Sequence, residues 1–77
     1  MLFIESKLFT KYLPDYLSDN EYREFQNALL SNPNRGDVIK GTGGLRKVRW
    51  SLGNKGKRGG VRIIYYWQVK QDEIYLL

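Results

Sequence analysis

Lys47, Arg49 and Arg62 are the residues of this sequence best suited to chemistry, because most other catalytic sets are missing. The chain has no histidine and no cysteine. That removes Ser-His and Cys-His nucleophiles, paired-histidine ribonucleases, disulfides and thiolate metal sites. The acids are scattered: Asp15, Asp19, Glu21 and Glu24 precede or begin helical segments, and Asp72-Glu73 lie in a turn. A two-metal nuclease needs several carboxylates converging on one point, and none are expected near the basic residues. No metal and no cofactor is therefore expected. What remains is Lys, Arg and Tyr.

Those side chains suffice for one reaction. RNA carries its own nucleophile, the 2′-hydroxyl beside each phosphate. A catalyst has to orient that hydroxyl, take its proton and stabilise charge on the phosphorane. Guanidinium and ammonium groups do the last job through charge-assisted hydrogen bonds. A lysine crowded by other cations can also have its basicity lowered enough to help as a base. Metal-free internal transesterification is open to such a set, and DNA, lacking the 2′-hydroxyl, would be spared.

Charge distribution points to the same half of the chain. The 77 residues carry 13 Lys or Arg against 8 Asp or Glu, a net charge of +5. Residues 1–38 hold four basic groups and six acids, a net of −2, whereas residues 39–77 hold nine basic groups and two acids, a net of +7. From Lys40 to Arg62 there are eight cations, seven of the eight glycines and no acid. A polyanion responds to such a local field rather than to the total. The alternative is a merely solvated face, but such faces usually mix signs.

The elements that must position these residues can be read from period and punctuation. Residues 2–9, LFIESKLF, alternate as a strand, with Leu2, Ile4 and Leu8 on one face and Phe3 and Phe9 on the other. Thr10 is expected to cap a short helix limited by Pro14. Ser18-Asp19-Asn20-Glu21 has capping-box spacing, and Tyr22, Phe25, Leu29 and Leu30 form one apolar stripe, so a helix is expected over 19–31. Asn32-Pro33 stops it. Strands are expected over 45–52, 61–69 and 73–77, with a glycine-rich loop at 53–60. Gly41-Thr42-Gly43-Gly44 is expected to be a turn or bulge, because no Gly-Lys-Ser/Thr and no helix follows it. The whole chain, 1–77, then makes one α+β domain of order β-α-α-β-β-β, an antiparallel sheet with two helices on one side. No run approaches the length of a membrane span, and the N-terminus lacks a secretory signal pattern. A cytoplasmic location with no membrane partner is expected.

Alternation in the strands brings the cations together. Lys47 and Arg49 share one sheet face, and Val48 and Trp50 the other. A hairpin centred on Lys55-Gly56 sets Arg49 opposite Arg62 and Lys47 opposite Ile64. Three cations on one face repel unless an anion sits among them. The alternative is that they only solvate an outer face. Val61, Ile63, Tyr65, Trp67 and Val69 alternate onto the core side. Tyr66 shares the face of Arg62, where it can stack on a base, pack, or act as a lid.

The segment LRKVRWSLGNKGKRGGVRIIYYW, preceded by NRGDVIKGTGG, resembles the HigB-type toxins of the RelE superfamily, and the likeness spans the whole chain. The resemblance implies a RelE-like fold and a ribosome-dependent mRNA endonuclease held inactive by a cognate HigA-like antitoxin. It implies catalytic roles for Lys47, Arg49 and Arg62: Lys47 as proton acceptor or electrostatic aid, the two arginines as phosphate clamps. Lys40, Arg46, Lys55, Lys57, Arg58 and Tyr66 are the expected RNA-binding residues. Relatives continue past Leu77, using some of the further residues in catalysis. The last strand is therefore expected to be cut short, leaving Ile74, Tyr75 and Leu77 at an open edge that invites self-association. A non-catalytic module that binds RNA or antitoxin is the alternative function.

Overall fold

The computed structural model describes residues 1–51 and 60–77. Seven elements follow in order: β1 (Leu2–Glu5), α1 (Lys7–Tyr16), α2 (Asp19–Ser31), β2 (Asp37–Val38), β3 (Arg46–Ser51), β4 (Gly60–Gln68) and β5 (Glu73–Leu76). The architecture is α+β, two helices against one five-stranded sheet.

The first strand is shorter than the alternating pattern suggests. Ser6, not Thr10, caps α1: its hydroxyl accepts the Phe9 N–H at 3.1 Å. Helical spacing then turns Phe9, Leu13 and Leu17 towards the core and leaves Leu8 outside. Thr10 instead donates to the Glu5 carboxylate at 2.6 Å. The second helix runs over Asp19–Ser31 as its capping box requires, with Glu21 accepting from the Ser18 N–H and Ser18 from the Glu21 N–H. Phe25 and Leu29 from its stripe are fully buried, Tyr22 is half-buried and Leu30 is exposed. Tyr22 donates to Glu5 at 2.7 Å. Burial and that carboxylate hold its phenol well above the usual tyrosine range.

Sheet order is β1-β5-β4-β3-β2. β3, β4 and β5 pair antiparallel, but β1 lies parallel to β5, Leu2 opposite Glu73 and Glu5 opposite Leu76. The sheet is therefore mixed, not antiparallel throughout. The topology also removes the expected open edge: β5 sits between β1 and β4, so Ile74 and Tyr75 have strand partners on both sides. The outer strands are β1 and the two-residue β2.

The core lies between the helices and one sheet face. Leu17, Phe25 and Leu29 meet Val48, Ile63, Tyr65, Ile74 and Leu76, with Phe3, Trp50, Val61 and Trp67 packed around them. Val69, expected in this layer, falls in the turn after β4 and is exposed. Among the described residues, the other sheet face carries no helix. Among the described residues, no helix is long and apolar enough to cross a membrane.

Candidate nucleic-acid interface

Register decides which side chains share the uncovered face. Arg49 pairs with Arg62 and Lys47 with Ile64, as the hairpin symmetry predicts. Lys47, Arg49 and Arg62 are all exposed, and among the described residues none makes an ion pair.

A fourth charged group stands with them. Asp37 in β2 pairs directly with Lys47, so its carboxylate rises from the same face. Asp37, Lys47, Arg49 and Arg62 line one small cavity of about 160 Å³. Charge counting by halves assigns Asp37 to the acidic N-terminal segment, and a two-residue strand has no periodicity to detect. The usable clue is its place one residue after Gly36.

Gly36 is where the chain approaches the sheet most closely. A Cβ there would lie 2.8 Å from the Lys47 carbonyl oxygen and 2.9 Å from the Tyr65 ring, so only glycine fits. The buried Tyr65 hydroxyl accepts the Gly36 N–H at 2.8 Å and donates to the Pro33 carbonyl at 2.7 Å. Arg46 closes the clamp, donating to the Gly36 carbonyl at 2.7 Å. The sequence reading put Arg46 among RNA-binding residues. It lies on the core-side parity of β3, with Val48 and Trp50, and its guanidinium donates to backbone carbonyls. Its place is behind Asp37.

Arg49 is steered as well. A Cβ on Gly60 would come within 3.1 Å of the Arg49 Nε, so that side chain reaches across Gly60. The guanidinium thereby occupies the end of the face beside the start of β4. Lys40 is exposed at the start of the turn that contains Gly41, Gly43 and Gly44, all at positive φ. Thr42 braces that turn, donating to the Ile39 carbonyl at 2.6 Å and accepting the Leu45 N–H at 3.1 Å. It is a turn, not a phosphate loop. Tyr66 projects on the Arg62 side, half-buried, its ring 6.4 Å from that of Tyr75. Lys55, Lys57 and Arg58 lie outside the described residues.

A larger hollow of about 550 Å³ lies between α1 and β4, lined by Leu8, Tyr12, Leu13, Val61 and Leu77 among others. Arg62 borders it too and is the one charged group in its lining among the described residues. The small cavity joins one carboxylate to three cations. Such a set can take a proton from a hydroxyl and hold an adjacent phosphate. No family model matches the chain.

Proposed function

We propose that this chain is a metal-independent endoribonuclease of the HigB type, the toxin of a toxin–antitoxin pair, which cleaves mRNA on the ribosome in the cytoplasm. The observation that carries this reading is the shared cavity of Asp37, Lys47, Arg49 and Arg62. Its support lies in the match between those four groups and what internal transesterification requires. The RelE-like fold and the HigA-like antitoxin belong to the same reading and rest on the family resemblance of the chain, carried most specifically by residues 34–67.

In this mechanism the substrate supplies the nucleophile. Asp37 accepts the 2′-hydroxyl proton, a task a carboxylate can perform as it stands while an ammonium must first lose a proton. The proton-accepting role suggested for Lys47 passes to Asp37, and Lys47 supplies positive charge. The 2′-oxygen attacks phosphorus, and Arg49 and Arg62 meet the charge that grows on the non-bridging oxygens. The bond to the 5′-oxygen breaks and that oxygen takes a proton from water. The products are a 2′,3′-cyclic phosphate and a free 5′-hydroxyl.

The test compares cleavage of one mRNA free in solution and in the ribosomal A site, each with and without EDTA. Strong cleavage only on the ribosome, indifferent to EDTA, is the expected result. Equal rates on free RNA would remove the ribosome from the mechanism, and loss of activity in EDTA would overturn the metal-free chemistry. RNA binding without cleavage in any condition would favour the non-catalytic module.

A further inference from the structure

Beside the charged cavity, the uncovered face changes character along β4. Strand pairing lays its residues in rows. Arg49 and Arg62 form one row, and Asp37, Lys47 and Ile64 the next. Ile4, Tyr75 and Tyr66 form a third row, across β1, β5 and β4. Tyr66 stands four residues along the strand from Arg62, about 13 Å at the usual rise. The aromatic row thus follows the Asp37, Lys47 and Ile64 row on the same face.

Both rings are held in place. The Tyr75 hydroxyl donates to the Glu73 carboxylate at 2.8 Å, which fixes the ring along the strand. The Tyr66 and Tyr75 rings are 6.4 Å apart at an interplanar angle of 36°. Gly44, at φ 119°, borders Tyr66: a Cβ there would lie 3.1 Å from the ring edge. Any side chain at that position would press on the tyrosine and cover it. Both rings remain half-buried only, on the face that no helix covers. Fixed aromatic surface on the same face as a cation cluster suits an unstacked base on a strand whose phosphate is bound there. Duplex RNA would present backbone rather than base faces here.

From this arrangement we infer that Tyr66 and Tyr75 form a nucleobase-stacking subsite, which takes a base of the single-stranded RNA whose phosphate is held at Arg49 and Arg62. Gly44 keeps the subsite open. The inference rests on the RNA-cleaving reading and extends it by assigning where the strand lies: along β4, from the arginine row towards Tyr66. Stacking on such rings tolerates any base, so this subsite adds affinity and orientation without sequence preference.

The experiment uses binding, so it does not depend on cleavage. A short 2′-O-methyl oligonucleotide, which cannot be cleaved, is titrated against the full chain beside the same backbone with abasic sugars. The base-bearing strand is expected to bind roughly ten-fold more tightly and to shift the Tyr66 and Tyr75 ring resonances in NMR spectra. The abasic strand should leave those resonances in place. Tyr66→Leu and Tyr75→Leu should remove the affinity gap, and Tyr75→Phe, which keeps the ring but loses the bond to Glu73, should retain most of it.

Equal, salt-sensitive binding of both strands would overturn the stacking subsite while leaving the cation cluster as an RNA site. A gap that persists in both leucine variants, or unmoved ring resonances in the wild-type chain, would also overturn it. Absence of binding by either strand would sink the RNA reading and the subsite together.

Discussion

Arg49 and Arg62 stand directly opposite one another across β3 and β4, like charges in a position where unlike ones would be favoured. Such a pair costs the folded state about 0.5 kcal/mol, and a bound anion relieves it. Arg49→Thr should therefore raise stability in urea at low salt while weakening RNA binding. Inorganic phosphate should stabilise the wild-type chain more than the variant. A variant no more stable than the wild type at low salt would show that the two guanidinium groups already avoid each other, with Arg49 drawn fully across Gly60.

In the proposed mechanism Arg62 is the residue at which binding and catalysis can be separated. If it meets charge that develops only on the phosphorane, Arg62→Ala should lower single-turnover cleavage by roughly 10²–10³ with ribosome affinity nearly unchanged. An interaction present only in the transition state has that signature. If rate and affinity fall together, or if cleavage survives within a few-fold, Arg62 is one more phosphate contact and not part of the reaction.

Tyr65 holds the backbone that presents Asp37. Tyr65→Phe keeps the ring but leaves the Gly36 N–H and the Pro33 carbonyl without their partner. Unpaired buried groups of this kind cost about 1–3 kcal/mol. Denaturant unfolding should show that loss, and cleavage should drop further than the stability change alone explains, since Asp37 is no longer fixed opposite Lys47. Full activity in a destabilised Tyr65→Phe chain would detach the clamp from the chemistry.

Salt dependence reports how many cations touch phosphate. With about four contacts, log K should fall against log salt with a slope near −3, taking about −0.7 per contact for a single strand. Arg23→Ala, on α2 and away from the open face, should leave the slope unchanged. A flat plot would place the binding surface elsewhere.

The sequence made some of this legible for physical reasons that differ by element. Helix α2 announced itself because its cap and its stripe are both local. The pairing of Arg49 with Arg62 was legible because hairpin register follows from symmetry about one point. The start of α1 was not: LFIESKLF alternates well enough to pass for a longer strand, and only the hydroxyl of Ser6, satisfying the Phe9 N–H, decides otherwise. The hold of Arg46 on the Gly36 carbonyl was not legible, because its expected role came from a family resemblance and the bond spans ten residues to a backbone oxygen. Asp37 was missed because its role arises from pairing at the sheet edge, and no short-range pattern encodes that.

The parallel pairing of β1 with β5 joins opposite ends of the described chain, Leu2 beside Glu73. Contacts so distant in sequence are entropically slow to form, while the helices and the β3–β4 hairpin can form locally. Closure of the sheet is thus expected to be a late folding event. During synthesis β5 emerges after the other four described strands, so until it leaves the exit tunnel β1 lacks its partner in this sheet and the Ile4, Tyr75 and Tyr66 row cannot assemble. The same connection makes β1 and β5 one cooperative unit, in which opening of either strand exposes the other.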